Sequence, residues 1–404
     1  MPRFVRNHVV EALALSFLAF SAACSRAEVT PIAGWDKQLF PSYLIASATM
    51  RLPDEEAADD SELLGDREGV LGVKVEAPEA DTPIKVTITS DAILEPSTFS
   101  GTLDEAGTTY SIFPRIKYKY AALAKIKQSM PVTVTFRIEV GDEEAEERTE
   151  TLTLHSVNDC PFSISQGDDN YRDVSYVFAA YVNEQHPFVD KVLREALDLG
   201  IVDSFTGYQS KDPAEVYRQV YAIWDALSKR DVRYSNITAS AAESEQVSSQ
   251  NVRLIDESIN NAQANCVDGS VLLASVLRKI DIEPVLVFVP GHCYLGFYLD
   301  PEGKQLIGLE TTMIGSVADE GGRMIEGVED LVDAEQSKSN SWGTFCAAIV
   351  EGTKDLKKNQ HKFDEGEDPD YQLIPIAAAR KQGILPIAFD SNDRFQATAP
   401  SDEE

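Results

Sequence analysis

Between residues 265 and 311 the chain carries a cysteine, a histidine and a glutamate in settings that suit thiol chemistry. Cys266 opens the run NCVDGSVLLASVLRKI, whose apolar spacing predicts a helix over 266–279. Unpaired amides and the helix dipole at a helix N-terminus favour a thiolate there. His292 follows the strand-like segment PVLVFVP, and Glu310 ends another, KQLIGLE. A thiolate attacks a carbonyl when a base lies within hydrogen-bond reach and a third group orients that base. The same three residue types also fit an inert reading, as a buried cysteine, a satisfied histidine and a glutamate in a solvated turn.

The elements around the three residues decide how they meet. Residues 285–290 and 292–299 read as consecutive strands, with His292, Tyr294, Gly296 and Tyr298 on one face of the second. Cys293, Leu295, Phe297 and Leu299 take the other face, so Cys293 is expected in the core, away from His292. A turn at Pro301 to Gly303 lets the strand ending at Glu310 pair antiparallel with the histidine strand. That pairing brings His292 and Glu310 to the outer ends of the two arms, where a carboxylate can hold the imidazole in one tautomer. The constellation calls for no metal and no cofactor.

Upstream, residues 43–156 have a strand-like pattern: YLIASATM, VLGVKVEA, IKVTITS, VTVTFRIEV and TLTLHSV, separated by Pro, Gly and acidic residues. About seven short strands over such a length fit an antiparallel β-sandwich. Tyr110, Phe113, Tyr118 and Tyr120 are expected to pack in the core or on a sheet face. Helical periodicity begins after 159–169, over 171–184, 189–199 and, capped by Asp212-Pro213, over AEVYRQVYAIWDALSKR. Tyr221 and Trp224 are core anchors on that helix, and 240–250 reads as a polar loop. Residues 342–356 look helical and 360–371 acidic and turn-rich. The stretch DEGEDPD lacks the alternating ligands of a calcium loop, and 375–383 offers a last short helix. The expected class is α+β, with a signal over 1–27, the sandwich over 28–158, a second domain over 165–358, and an acidic linker and tail over 359–404.

Composition narrows the partners. The 404 residues are 43% hydrophobic and 8% aromatic, enough for a globular core of roughly two domains. Lys+Arg of 36 against Asp+Glu of 67 gives 36 − 67 = −31, which argues against nucleic acid and anionic membranes as partners and points to solubility or a basic ligand. Arg3 and Arg6 followed by ALALSFLAFSAA read as an export signal, shorter than the roughly 20 residues of a spanning helix. Two processing readings stay open: lipidation of Cys24 in Ser21-Ala22-Ala23-Cys24, or cleavage after Ala27. Either makes the mature chain extracytoplasmic, in the first case lipid-anchored. A Cys160–Cys346 bridge stays open as well.

Residues 250–312 resemble the transglutaminase-like superfamily, a papain-like fold in which helices pack on an antiparallel sheet. The resemblance rests on QNVRLIDESINNAQANCVDGSVLLASVLRKIDIEPVLVFVPGHCYLGFYLD and then GLETT. It extends less distinctively over 170–350. It implies Cys266 as nucleophile, His292 as base and Glu310 as orienting acid, with glutamate in the place of the commoner aspartate. Asp300 and Glu302 are the fallback acids. The backbone amide of Cys266 is the natural oxyanion donor, and Gln250, Asn265 and Tyr234 are candidates for a second. Arg253 is expected to fix the loop before the helix, and Asp268 to cap or brace its start.

By this resemblance the chain is expected to act on amide bonds of a protein or peptide through a thioester, as a peptidase or amidase. Crosslinking of glutamine to lysine is the nearest alternative. A non-catalytic peptide-binding envelope protein and an acidic scaffold for basic partners are the two others.

Overall fold

The computed structural model describes residues 27–50, 61–167, 170–235, 244–318 and 331–387. The expected export signal, Cys24 and the end of the acidic tail lie outside the described residues. The fold is mixed α+β, built from several sheets.

The first half is mostly strand. In chain order it contains β1 (Val29–Ala33), β2 (Gln38–Leu39), α1 (Pro41–Ala46), β3 (Leu63–Gly65), β4 (Leu71–Glu76) and β5 (Thr82–Ser90). Then follow β6 (Leu94–Leu103), β7 (Thr109–Phe113), β8 (Lys117–Tyr118), α2 (Tyr120–Leu123), β9 (Met130–Val140) and β10 (Glu146–Leu154). They form a four-stranded sheet, β1-β4-β7-β3, and a six-stranded one, β2-β10-β9-β5-β6-β8. The pairs β3–β7 and β2–β10 are parallel, and the other pairs are antiparallel. In β9, Val132, Val134, Phe136, Ile138 and Val140 are buried while the residues between them face outward, as the alternation in the sequence predicts. Tyr110 joins the core, whereas Tyr120 is exposed.

The second half holds the site. It contains β11 (Asp159–Gly167), β12 (Asn170–Asp173), α3 (Pro187–Asp198), α4 (Pro213–Lys229), β13 (Arg233–Tyr234), β14 (Val247–Asn251) and α5 (Ile255–Asn260). It continues with β15 (Gln263–Ala264), α6 (Cys266–Lys279), β16 (Pro284–Val289), β17 (His292–Tyr298), β18 (Leu306–Leu309), α7 (Asn340–Glu365), β19 (Gln372–Pro375) and α8 (Ile376–Lys381). An antiparallel sheet β18-β17-β16-β19 carries α6 and α7, and β12-β11-β14 forms a three-stranded sheet beside it. The two faces of β17 go to different cores. Cys293, Leu295 and Phe297 join the main apolar core, while Tyr294 packs with Val285, Val287 and Leu356 in a smaller cluster. Tyr221 and Trp224 are buried on α4, which starts on a side-chain bond from the Ala214 N–H to Asp212.

Four segments differ from the sequence reading. YLIASATM, expected as a strand, begins in α1, because Pro41 presets the first helical turn and a short apolar run has no decisive period. Residues 171–184 start as β12 and continue as a 3-10 helix over Ser175–Tyr181. Val247–Asn251, expected in a loop, is a strand whose polar residues sit at the sheet edge beside β11. The expected linker after 359 begins inside α7, which ends only at Gly366, where φ is 63° and the residue closes the helix in the left-handed conformation.

α7 lies almost on the backbone of β18. A Cβ added at Gly308 would come within 2.3 Å of the Gly352 carbonyl carbon, and one at Gly352 within 2.6 Å of the Gly308 carbonyl carbon. The Glu310 N–H donates to the Ala348 carbonyl at 2.9 Å, so this crossing seats the end of β18. Gly352→Ala is expected to force the helix off the strand and to cost about 1–3 kcal/mol of stability, the range for overpacking, as read by urea denaturation.

Candidate functional site

Cys266 stands where the sequence puts it, at the first turn of α6. Asn265 is the N-cap: its side chain accepts from the Asp268 N–H at 2.8 Å, and the Asp268 carboxylate accepts from the Asn265 N–H at 3.0 Å. This reciprocal box satisfies two of the donors that a helix start leaves open and keeps the amides of Cys266 and Val267 pointing outward. Asp268 is fully buried, and Arg253 holds it with its backbone N–H at 2.8 Å and its guanidinium at 2.7 Å. Burial lifts the Asp268 carboxyl above the usual carboxylate range, and the bonds from Asn265 and Arg253 offset only part of that. Arg253 and Asp268 thus have the bracing roles expected of them.

His292 is the first residue of β17 and lies opposite Val289. Its Nε2 is 2.7 Å from Oε2 of Glu310, one residue beyond the last paired position of β18. The Cys266 sulfur is the ring's other ionisable neighbour, and Nδ1 is the nitrogen that Glu310 leaves free. The nearby Cys266 sulfur and then the bond to Glu310 push the His292 pKa up to about 10, against the effect of burial. Glu310 is pinned on its second oxygen by Thr312, whose hydroxyl donates at 2.6 Å and whose N–H donates at 3.1 Å. Burial pushes the Glu310 carboxyl up, but the bonds from His292 and Thr312 outweigh it and hold the group below its ordinary value.

Two hydroxyls that the sequence reading did not single out tie these pieces together. Ser270 donates to the Cys266 carbonyl at 2.7 Å and lies 3.0 Å from the Thr311 hydroxyl, which itself reaches the Cys266 carbonyl at 3.4 Å. Both residues are buried. A serine four residues after the cysteine and a threonine after the acid were the only traces of this link in the sequence.

A cavity of about 690 Å³ opens beside the thiol, with Gln250, Cys266 and His292 in its wall. Gln250, on β14, is therefore the one of the three candidates for a second oxyanion donor that lines the cavity. Asn265 is committed to its cap, and Tyr234, 42% exposed, does not line the cavity. The phenol pKa of Tyr234 is raised, first by burial and then by the nearness of Cys266 and Glu310. Cys293 is 1% exposed, and burial drives its thiol well above the ordinary range. Asp300 sits in the turn, accepting from the amides of Lys304 and Gln305, so Glu310 and not Asp300 partners the histidine. Cys160 and Cys346 are both buried and are not joined by a disulfide. Among the described residues there is no group of three or more His, Cys, Asp or Glu able to hold a metal ion, and no helix is long and apolar enough to cross a membrane. Compared with models of known families and with curated protein sequences, the chain matches none.

Two outcomes follow from this geometry. Arg253→Met leaves Asp268 as an uncompensated buried carboxylate and is expected to cost about 3–5 kcal/mol in a denaturant titration. For His292, a folded pKa of about 10 against an ordinary 6.5 means that its imidazolium stabilises the fold fully below about pH 6.5. That contribution is lost as pH rises through about 10. An NMR titration of the ring is expected to show a midpoint near 10 that falls in Glu310→Gln, whereas an unchanged midpoint would separate Glu310 from the histidine.

Proposed function

We propose that the chain is a cysteine-dependent acyl-transfer enzyme that hydrolyses amide bonds of peptides through a thioester. The observation that carries this reading is one imidazole, His292, bonded through Nε2 to the Glu310 carboxylate and set beside the Cys266 thiol at a helix start, at the wall of an open cavity. A base held between a nucleophile and an orienting acid is the arrangement that nucleophilic catalysis requires.

The Cys266 thiolate attacks the carbonyl carbon, and the oxygen takes up the negative charge facing the Cys266 amide and the Gln250 side chain. His292 gives its proton to the leaving nitrogen, the C–N bond breaks, and a thioester remains on Cys266. Water then attacks the thioester while His292 takes its proton. The C–S bond breaks, releasing the acid and restoring the thiolate beside the imidazolium. Glu310, anchored by Thr312, keeps Nε2–H occupied so that Nδ1 faces the sulfur.

The same reading places the chain in the transglutaminase-like superfamily, with a papain-like second domain over 165–358 and an antiparallel β-sandwich over 28–158 before it. The helices carried on the antiparallel sheet β18-β17-β16-β19 support the first assignment, and the two mostly antiparallel sheets of the first half support the second. It also makes the protein extracytoplasmic.

Iodoacetamide is expected to alkylate Cys266 much faster than Cys293. Cys266→Ala is expected to abolish peptide hydrolysis, and Glu310→Gln to lower kcat by about 10²- to 10⁴-fold, the range for losing an effective base. Equal alkylation of the two cysteines, with hydrolysis unchanged in Cys266→Ala, would refute the reading. Product that appears only when a primary amine is supplied would make the acceptor an amine instead of water.

A further inference from the structure

The cavity beside Cys266 has two unlike walls. One is aromatic: Phe162 on β11, Phe178 in the 3-10 helix and Phe288 on β16 line it, with ring centroids 6.1 Å apart for the first pair and 4.6 Å for the second. Tyr171 on β12 adds a ring that is 58% exposed. An exposed large ring in a cavity continuous with a nucleophile is contact area that the fold itself does not use.

The other wall is acidic. Asp173, at the end of β12, and Glu367 and Asp370, between α7 and β19, line the same cavity. The two segments are joined by the hydrogen bond between the Ser175 hydroxyl and the Gln372 side chain, so their carboxylates are held at the same cavity. Asp368, between Glu367 and Asp370 in sequence, is paired with Lys362 at 3.4 Å. Asp173, Glu367 and Asp370 have no cationic side chain within ion-pair distance among the described residues, and no lysine or arginine lines the cavity. The cavity wall thus keeps negative charge that the protein does not neutralise.

We infer that this cleft receives a lysine or arginine side chain of the peptide substrate, next to the amide presented to Cys266. The apolar stem lies along Phe162, Phe178 and Phe288, and the positive end lies among Asp173, Glu367 and Asp370 beside Tyr171. A long cationic side chain matches both walls at once, with its methylenes on the rings and its charge at the wet, acidic side. A glutamate side chain meets like charge there, and an uncharged stem leaves the carboxylates unpaired. The inference rests on the acyl-transfer reading, because it takes the cavity wall that holds Cys266 and His292 as the place where the substrate lies.

The test compares peptides that differ at one residue, as lysine, norleucine or glutamate, in two arms with the full chain. In the binding arm, Cys266→Ala is titrated with labelled peptide and followed by fluorescence anisotropy. The lysine peptide is expected to bind more tightly than the norleucine peptide by about two- to fivefold per exposed carboxylate engaged. The glutamate peptide is expected to bind most weakly. The double variant Glu367→Gln/Asp370→Asn, made in Cys266→Ala, and separately 0.5 M salt, are expected to shrink the lysine preference while leaving norleucine binding in place. Equal affinity for lysine and norleucine, or a preference that survives both treatments, overturns the inference. In the turnover arm the wild-type chain cleaves the same peptides. Cleavage without charge preference overturns the cleft assignment and leaves the thioester chemistry standing, whereas selective binding with no cleavage of any peptide does the reverse.

Discussion

A carboxylate with no exposure to water sets the geometry of this protein's second half. Asp268 has to find its partners inside the fold, since an uncompensated buried charge is among the most costly defects a core can hold. It finds them in the Arg253 guanidinium and backbone and in the Asn265 N–H. That single requirement fixes the first turn of α6, and with it the direction in which the Cys266 side chain and amide point. It also draws β14, which precedes Arg253 and carries Gln250, to the same place. The nucleophile and the strand that carries Gln250 are therefore positioned by one buried ion pair.

The acid side of the site is positioned differently, by contact between backbones. Gly308 and Gly352 let α7 lie on β18 more closely than any other residue would permit, and the Ala348 carbonyl takes the Glu310 N–H. The Ser270–Thr311 hydroxyl pair then links this unit to the Cys266 carbonyl. His292 stands between the two units, at the start of a strand whose other face is locked in the main core. A cysteine on a helix and a histidine–glutamate pair on a sheet can be held in register only if helix and sheet are themselves tied, and these hydroxyls tie them.

Much of the site was legible in the sequence because its signals are local. Asparagine before a helical run and aspartate three residues later announce the capping box, so the start of α6 at Cys266 was readable. Strict alternation in HCYLGFYL announced which side chains share the face of His292, and it correctly set Cys293 apart. The pairing of His292 with Glu310 followed from the length of the hairpin arms. What the sequence did not yield came from distant contacts. Phe162, Asp173 and Asp370 meet at one cavity only because β11, β12 and the segment after α7 converge, and nothing in their neighbouring residues says so. YLIASATM has the composition of a strand, but Pro41 and burial on nearly all sides make it begin as a helix. Val247–Asn251 is so polar that only its pairing with β11 makes it a strand.

The central claim is that Cys266 carries the acyl group between the two halves of the reaction. Acid-quenched intact-mass measurement, followed by peptide mapping, tests it most directly. Mixed with a slowly hydrolysed activated peptide, the full chain is expected to gain the mass of one acyl group, mapped to Cys266 and labile to hydroxylamine. No acyl mass in the wild type, or an adduct that persists in Cys266→Ala, would contradict the account.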